Sequence, residues 1–89
     1  MQIQITGQGV DVSTALKQLT EEKLLKLERH NASIMRVHIV FEVDKLVHSA
    51  KASLHLPGQT LHAKGESENM YKTVDIMIEK LDRQLRDHK

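Results

Sequence analysis

The middle of the chain reads MRVHIVFEV at 35–43, VHSAKASLHL at 47–56 and TLHAK at 60–64. In the first and third runs apolar residues occupy the odd positions, with Val40 as a departure. In most of the second run they occupy the even positions. Such alternation is typical of strands that bury one face. The change of parity predicts a hairpin near residues 44–47, and Pro57-Gly58 predicts a turn. We expect Gly65 to end or bend the last of these strands.

A further strand and a helix precede this region. Residues 2–6 alternate Gln and Ile, which predicts a strand that Gly7 and Gly9 interrupt. Ser13 is a favourable N-cap for a helix that ends near residues 30–31. Its apolar stripe consists of Leu16, Leu19, Leu24 and Leu27.

A second helix completes the chain, and Asn69 can cap it. Its apolar stripe consists of Met70, Val74, Met77, Ile78, Leu81 and Leu85. The order is therefore β-α-β-β-β-α, and two helices with one apolar face each can cover one face of a four-stranded sheet. We predict an α+β two-layer sandwich with both helices on one face of the sheet. On the opposite, exposed face, alternation places Gln2, Gln4, Arg36, His38, Lys51, Ser53, His55, His62 and Lys64.

Composition limits the functions that this chain can have. Its 89 residues make one small domain, to which we assign residues 1–89. No cysteine is present, which excludes disulfides, thiolate zinc sites and cysteine nucleophiles. Phe41 and Tyr71 are the only Phe, Tyr or Trp residues, so extensive base stacking is nearly excluded. Because the N-terminus lacks a basic leader followed by an apolar run, we expect a soluble cytoplasmic protein.

Positive charge is concentrated on one flank of each predicted helix, although the formal net charge is only +1. The aligned cations are Lys23, Lys26 and Arg29 on the first helix and Lys80, Arg83 and Arg86 on the second. We expect the stem of Lys23 to pack along the second helix and both stripes to meet over the groove between the helices. Ordinary solvated helices are the alternative, and the spacing of Glu79 and Arg83 is typical of a surface ion pair.

Residues 69–75 and 78–85 of the second helix, NMYKTVD and IEKLDRQL, carry a family pattern. Together with Ile3-x-Ile5-Thr6-Gly7, Lys23-Leu24-x-Lys26-Leu27-Glu28 and Ala52-x-Leu54-His55, they resemble the bacterial ribosome hibernation promoting factor and protein Y family. Two positions depart from the pattern. Asn69 stands where the family has Asp and should cap equally well, and Ile76 occupies an expected outward position where a polar or small residue is usual.

The resemblance implies a fold similar to double-stranded RNA-binding domains. It also implies binding to the small ribosomal subunit, with its 16S-type ribosomal RNA, at the decoding region of a 70S-type ribosome, in the channel for mRNA and A-site and P-site tRNA. The chain stops at Lys89 without the acidic tail of protein Y, so we expect the short type that acts with ribosome modulation factor to pair inactive ribosomes in stationary phase or stress. The implied ribosomal RNA contacts are Lys23, Lys26, Arg29, Lys80, Arg83, Arg86 and Lys89.

A protein of this kind blocks translation by occupying a channel, so we expect no enzymatic activity, no cofactor and a monomer off the ribosome. Basic side chains neutralise phosphates and release counterions, while the folded domain excludes mRNA and tRNA by its volume. A catalytic role has little support in the sequence. Gly7-Gln8-Gly9 begins like a dinucleotide fingerprint, but Val12 stands where a third glycine is needed.

General RNA binding and metal binding are the rival hypotheses. The chain has six histidines, of which His38, His55 and His62 are predicted on the exposed sheet face. A register that pairs residue 38 with 53 and 53 with 62 separates His38 from His62 by two strand spacings, about 10 Å. One zinc ion bonds to nitrogen at about 2 Å and cannot bridge that gap. We therefore expect only adventitious coordination at these histidines.

Overall fold

The computed structural model describes residues 1–30 and 33–87 of the chain. Its elements are β1 (Gln2–Gln8), α1 (Thr14–His30), β2 (Arg36–Asp44), β3 (Val47–Leu56), β4 (Gln59–Ser67) and α2 (Met70–Asp87). This order confirms the predicted β-α-β-β-β-α arrangement and the α+β class. Within the two described ranges, no helix is long and apolar enough to cross a membrane.

The four strands form one sheet in chain order, with β1 parallel to β2 and the other neighbours antiparallel. Both predicted turns are confirmed. Asp44 pairs with Val47 across a tight turn in which Lys45 has a φ of 58°. The Pro57-Gly58 turn joins β3 to β4, and the φ of 76° at Gly58 suits glycine because it has no Cβ.

One apolar core lies between the helices and the inner face of the sheet. Its buried members are Leu16, Leu24, Leu27, Ile34, Val37, Ile39, Phe41, Ala50, Ala52, Leu54, Leu56, Leu61, Val74, Met77, Leu81 and Leu85. Two fully buried threonines complete it. Thr20 donates to the Leu16 carbonyl at 2.8 Å, and Thr73 donates to the His48 carbonyl at 2.9 Å. Neither threonine belongs to an apolar stripe of the sequence, because their side chains are polar.

Two expected features of the first two strands are wrong. Met35 was predicted to point inward, but it lies before β2 and is 59% exposed, while Ile34 is buried. The ladder begins at Arg36, so strand alternation does not hold Met35 against the core. β1 also continues through Gly7, which pairs with Phe41. A Cβ on Gly7 would clash with the Val10 carbonyl, so glycine allows the following loop to fold closely over the strand.

Gly65 does not end β4 as expected, because the strand runs on to Ser67. A Cβ on Gly65 would lie 2.6 Å from the Thr73 carbonyl oxygen and 3.0 Å from the Met77 nitrogen. α2 therefore crosses β4 at backbone contact, which only glycine permits. The Ile76 Cβ would lie 3.4 Å from the same added atom, and Ile76 is half-buried. Ile76 thus packs beside this crossing and is not the outward position that the sequence suggested.

Both predicted N-caps are confirmed. Ser13 Oγ accepts a hydrogen bond from the Leu16 nitrogen at 3.1 Å. Asn69 Oδ1 accepts from the Tyr71 nitrogen at 2.8 Å and from the Lys72 nitrogen at 3.4 Å. These side chains satisfy backbone donors that have no partner within the helix.

We expect Asn69→Ala to lower the free energy of unfolding by about 1 kcal/mol, because the first turn of α2 loses its cap. Asn69→Asp keeps an acceptor oxygen at the same place and should leave the stability nearly unchanged. Urea unfolding of both variants beside the wild type measures the difference. Equal losses in the two variants would show that the cap is not what Asn69 contributes.

Candidate nucleic-acid interface

Six of the predicted cations form what we call the helical basic surface. They are Lys23, Lys26 and Arg29 of α1 and Lys80, Arg83 and Arg86 of α2. Every member except Lys23 is exposed. Lys89, the seventh residue of the predicted set, lies outside the described residues. Exposed Lys and Arg side chains on rigid helices are suited to bind backbone phosphates.

Lys23 joins the two helices. Its Nζ lies 2.7 Å from Asp75 Oδ1 of α2, and its side chain is 29% exposed. The stem lies along α2 as the helical projection predicted, so the charge emerges at the groove between the helices. An RNA phosphate reaches this ammonium only in competition with Asp75.

The contribution of this ion pair to stability can be measured separately from any binding role. In a double-mutant cycle of Lys23→Met and Asp75→Asn, we expect a coupling free energy of about 0.2–1 kcal/mol, since Asp75 is largely exposed to water. Methionine keeps most of the apolar stem. Chemical denaturation of the four proteins gives the value. A coupling of several kcal/mol would show that Lys23 serves mainly to stabilise the fold.

The groove between α1 and α2 is a cleft of about 250 Å³. α1 lines it with Lys23, Lys26 and Leu27, whereas α2 lines it with Asp75, Ile78, Glu79 and Asp82. The two basic stripes therefore do not run together along this groove as expected, and only Arg86, at the end of the α2 stripe, lies beside it. α2 presents carboxylates there, and its cations lie mainly on other sides of the helix.

The basic stripe of α2 crosses the outside of the helix obliquely. Three residues turn the helix by about 300°, so each successive cation lies about 60° further back around the axis. Lys80 begins the stripe at the edge of β4, where its Nζ donates to the Lys64 carbonyl at 2.7 Å. Arg86 ends it beside the groove, 3.2 Å from Asp82. Arg83 lies between them, so the stripe extends from the sheet edge to the groove.

Three of these six cations, Lys26, Arg29 and Arg83, are available to a ligand. Arg83 and Glu79 are 3.7 Å apart and both about 70% exposed, so their ion pair is weak. Such a guanidinium can exchange its carboxylate for a phosphate. Lys26 and Arg29 have no ion-pair partner within residues 1–30 and 33–87. Tyr71, at the start of α2, is 47% exposed.

The exposed sheet face has the predicted histidine register, since His38 pairs with Ser53 and Ser53 pairs with His62. The ring nitrogens bond to neighbouring hydroxyl groups: His38 to Thr6 at 3.2 Å, His55 to Thr60 at 3.2 Å and His62 to Ser53 at 3.3 Å. In the described part of the chain, no three or more His, Asp or Glu side chains converge where they could hold a metal ion. The histidines are therefore arranged as hydrogen-bonding partners of a polar surface.

The polar contacts around β4 were not predicted from the sequence. Lys64 Nζ lies 2.8 Å from Glu66 Oε1, and this hydrogen bond raises the pKa of the Lys64 ammonium and lowers the pKa of the Glu66 carboxyl. Lys80 and Gln84 of α2 donate to the Lys64 and His62 carbonyls, each at 2.7 Å. They cover the free edge of β4. Helical periodicity contains no signal for such contacts, whereas strand parity does place Lys64 on the exposed face.

Comparison with known proteins identifies relatives over the whole chain. The profile described as Sigma 54 modulation protein / S30EA ribosomal protein matches residues 3–89. A ribosome hibernation promoting factor from Escherichia coli (strain K12) is 40% identical over 89 residues, which are 100% of this chain and 94% of that protein. Its counterpart from Azotobacter vinelandii is 43% identical over 89 residues, which are 100% of this chain and 83% of that protein.

Solved structures agree with these matches. A ribosomal subunit interface protein from Coxiella burnetii has a TM-score of 0.95 and 46% sequence identity, and the match covers 99% of this chain and 97% of that one. The N-terminal domain of Thermus thermophilus Protein Y has a TM-score of 0.90 over 100% of both chains, but at 21% identity it supports the fold alone. The predicted fold and the family resemblance are confirmed, and the chain belongs to the Sigma 54 modulation protein / S30EA ribosomal protein family.

Proposed function

We propose that this protein is a ribosome hibernation factor, which binds the small ribosomal subunit and keeps the ribosome inactive. The observation that carries this proposal is the similarity, over the full chain, to proteins named ribosome hibernation promoting factor. The exposed helical basic surface is the second support, because ribosomal RNA presents phosphates that Lys and Arg can neutralise.

The proposed binding place is the decoding region, in the channel for mRNA and for A-site and P-site tRNA. The protein measures 38 × 22 × 19 Å, so a bound molecule would fill a volume that these RNAs need. Inhibition is then competitive occupancy. It requires no catalytic residue and no cofactor, and we propose that the protein is not an enzyme.

The RNA contacts proposed for this binding are the helical basic surface and Lys89. The residues of the helical basic surface lie on two helices that share one core, so their relative positions are fixed before binding. With few aromatic side chains, recognition depends on the RNA backbone and its shape more than on stacked bases. We further propose that the protein acts in the cytoplasm as a monomer until it meets the ribosome, and that ribosome modulation factor assists it in pairing inactive ribosomes.

Sucrose-gradient profiles of stationary-phase cells test the proposal. Cells that lack the protein should contain fewer paired ribosomes than wild-type cells, and the wild-type gene supplied in trans should restore them. A shift from idle single ribosomes to translating ribosomes, without any change in pairs, would support hibernation but overturn the pairing role. Identical profiles with and without the protein would contradict the proposed function.

A further inference from the structure

The exposed face of the sheet, opposite to the face that the helices cover, carries a second basic site. An open cavity of about 360 Å³ lies over β3 and β4. Its lining residues are Lys51, Ala52, Ser53, His62, Ala63 and Lys64. These residues include no carboxylate. The two lysines also line an adjoining cavity with Glu42, Asp44 and Glu66, so the basic site ends at the next cross-strand row, which holds Ser49 and Glu66.

The register brings two lysines directly together in this cavity. Lys51 of β3 pairs with Lys64 of β4, and directly opposite residues on one face have Cβ atoms about 5 Å apart. Like charges in that position repel each other. Lys51 has no ion-pair partner in the part of the chain that the structure describes. Lys64 uses one ammonium hydrogen on Glu66 and keeps two more to donate. Glu66, whose carboxyl pKa is lowered by Lys64 and also by Lys51, offsets part of the repulsion, and an anion between the lysines would relieve the rest.

Ser53 and His62 form the neighbouring row of the same cavity, and they add neutral donors. Ser53 Oγ and His62 Nδ1 are 3.3 Å apart. When the serine hydroxyl donates to Nδ1, the imidazole carries its proton on Nε2. That N–H can then donate to an anion. Two ammonium groups and one imidazole N–H in adjacent rows match the several acceptor oxygens of a phosphate group.

This cavity is continuous with the basic stripe of α2. Lys80 begins that stripe, and its Nζ lies 2.7 Å from the carbonyl oxygen of Lys64, which itself lines the cavity. Gln84 makes the equivalent contact with the His62 carbonyl at 2.7 Å. Polar and cationic groups therefore extend from the outside of α2, around the β4 edge and onto the exposed sheet face. One RNA strand could follow this path.

We propose that the cavity lined by Lys51, Ser53, His62 and Lys64 binds a backbone phosphate of an RNA strand. RNA is favoured over a free anion because the cavity is open and continuous with cations on α2, so several phosphates of one strand are bound together. The identification of that strand as ribosomal RNA rests on the proposed function. The protein then contacts RNA with its helices and also with the opposite face of its sheet.

Amide chemical shifts of the isolated protein test this site without the ribosome. The probe is a single-stranded uridine hexanucleotide, with inorganic phosphate at the same total phosphate concentration as the comparison. The test variant is Lys51→Gln with Lys64→Gln. The control is Lys17→Gln with Lys45→Gln, which removes the same charge from exposed positions elsewhere. Thermal unfolding of both variants shows whether the fold is kept.

The hexanucleotide should shift the amides of residues 51–53 and 62–64 in the wild type and in the control, and this response should disappear in the test variant. The negative slope of log affinity against log salt should become shallower by about 0.7 in the test variant, as expected for one lost single-strand phosphate contact. Absence of shifts in these strands, or an equal response in the test variant, would overturn the site. If inorganic phosphate saturates the site as fully as the hexanucleotide does at the same total phosphate concentration, an RNA strand is not the specific ligand.

The outcome is separable from that of the proposed function. If the protein binds small subunits but the hexanucleotide does not shift its sheet amides, this inference alone is overturned. Hexanucleotide shifts in a protein that does not bind ribosomes would support the phosphate site and contradict the hibernation role.

Discussion

The double variant Lys26→Glu, Arg83→Glu is expected to lose co-sedimentation with small ribosomal subunits while its thermal unfolding midpoint stays nearly unchanged. Both side chains are exposed, one on each helix of the helical basic surface. Arg83 makes only a long ion pair with Glu79, and Lys26 has no ion-pair partner among the described residues. Their replacement therefore changes the surface charge that is proposed to bind RNA and leaves the core intact.

The expected size of this effect follows from the lost phosphate contacts. A hydrogen bond to a charged group contributes about 1.5–3 kcal/mol, so two lost contacts weaken binding by about 100-fold or more. Lys17→Glu with Lys45→Glu is the matched control, because it changes the net charge equally at exposed residues outside the helical basic surface. The control should still co-sediment at moderate salt. Undiminished binding by the Lys26 and Arg83 variant would contradict the assignment of this surface.

Gly65→Ala is expected to produce the largest loss of stability of any single methyl addition on β4. The new Cβ would lie 2.6 Å from the Thr73 carbonyl oxygen and 3.0 Å from the Met77 nitrogen. Both atoms belong to the backbone of α2, so no side-chain rotation relieves the overlap. The helix must move away from the sheet, and overpacking of this kind lowers the free energy of unfolding by about 1–3 kcal/mol.

Gln59→Ala, at the exposed start of the same strand, provides the control and should change the stability by less than about 0.5 kcal/mol. Thermal and urea unfolding of the two variants measure the difference. If Gly65→Ala unfolds with the wild-type midpoint, then α2 does not cross β4 at backbone contact in solution.

Local patterns were sufficient to predict the elements of this fold. Strand alternation gives the β2–β3–β4 meander with its turns, and the capping residues Ser13 and Asn69 give the starts of both helices. Each of these signals acts within a few residues of the chain. Local patterns do not determine the role of Gly65, because a glycine inside a strand is equally compatible with a bend and with the close approach of a distant helix.

The candidate interface was predictable only in part, for the same reason. Helical periodicity selected exposed cations on both helices, but it could not show how α1 and α2 are rotated relative to each other. That rotation brings Asp75 and Asp82 to the groove and Lys80 to the β4 edge. The pairing of Lys51 with Lys64 likewise depends on the exact register of β3 and β4. Long-range geometry therefore determines which predicted cations share a surface.

The formal net charge of +1 is compatible with RNA binding, because phosphates respond to the local arrangement of charges and not to their sum. Lys26 and Arg29, for example, are exposed cations without an ion-pair partner among the described residues. A small net charge also limits attraction to arbitrary RNA, since nonspecific binding follows the number of neutralised phosphates. Selection of one RNA site must then come from the arrangement of charges and the shape of the protein.

We propose that this protein occupies the mRNA and tRNA channel of the small subunit, and a competition experiment tests this proposal most directly. Labelled protein is bound to purified small subunits, and a leader mRNA with its cognate tRNA is added at increasing concentration before sedimentation. We predict that mRNA and tRNA displace the protein, and that the protein in excess displaces them in turn. Stable small subunits that carry the protein, mRNA and tRNA together would contradict the claim.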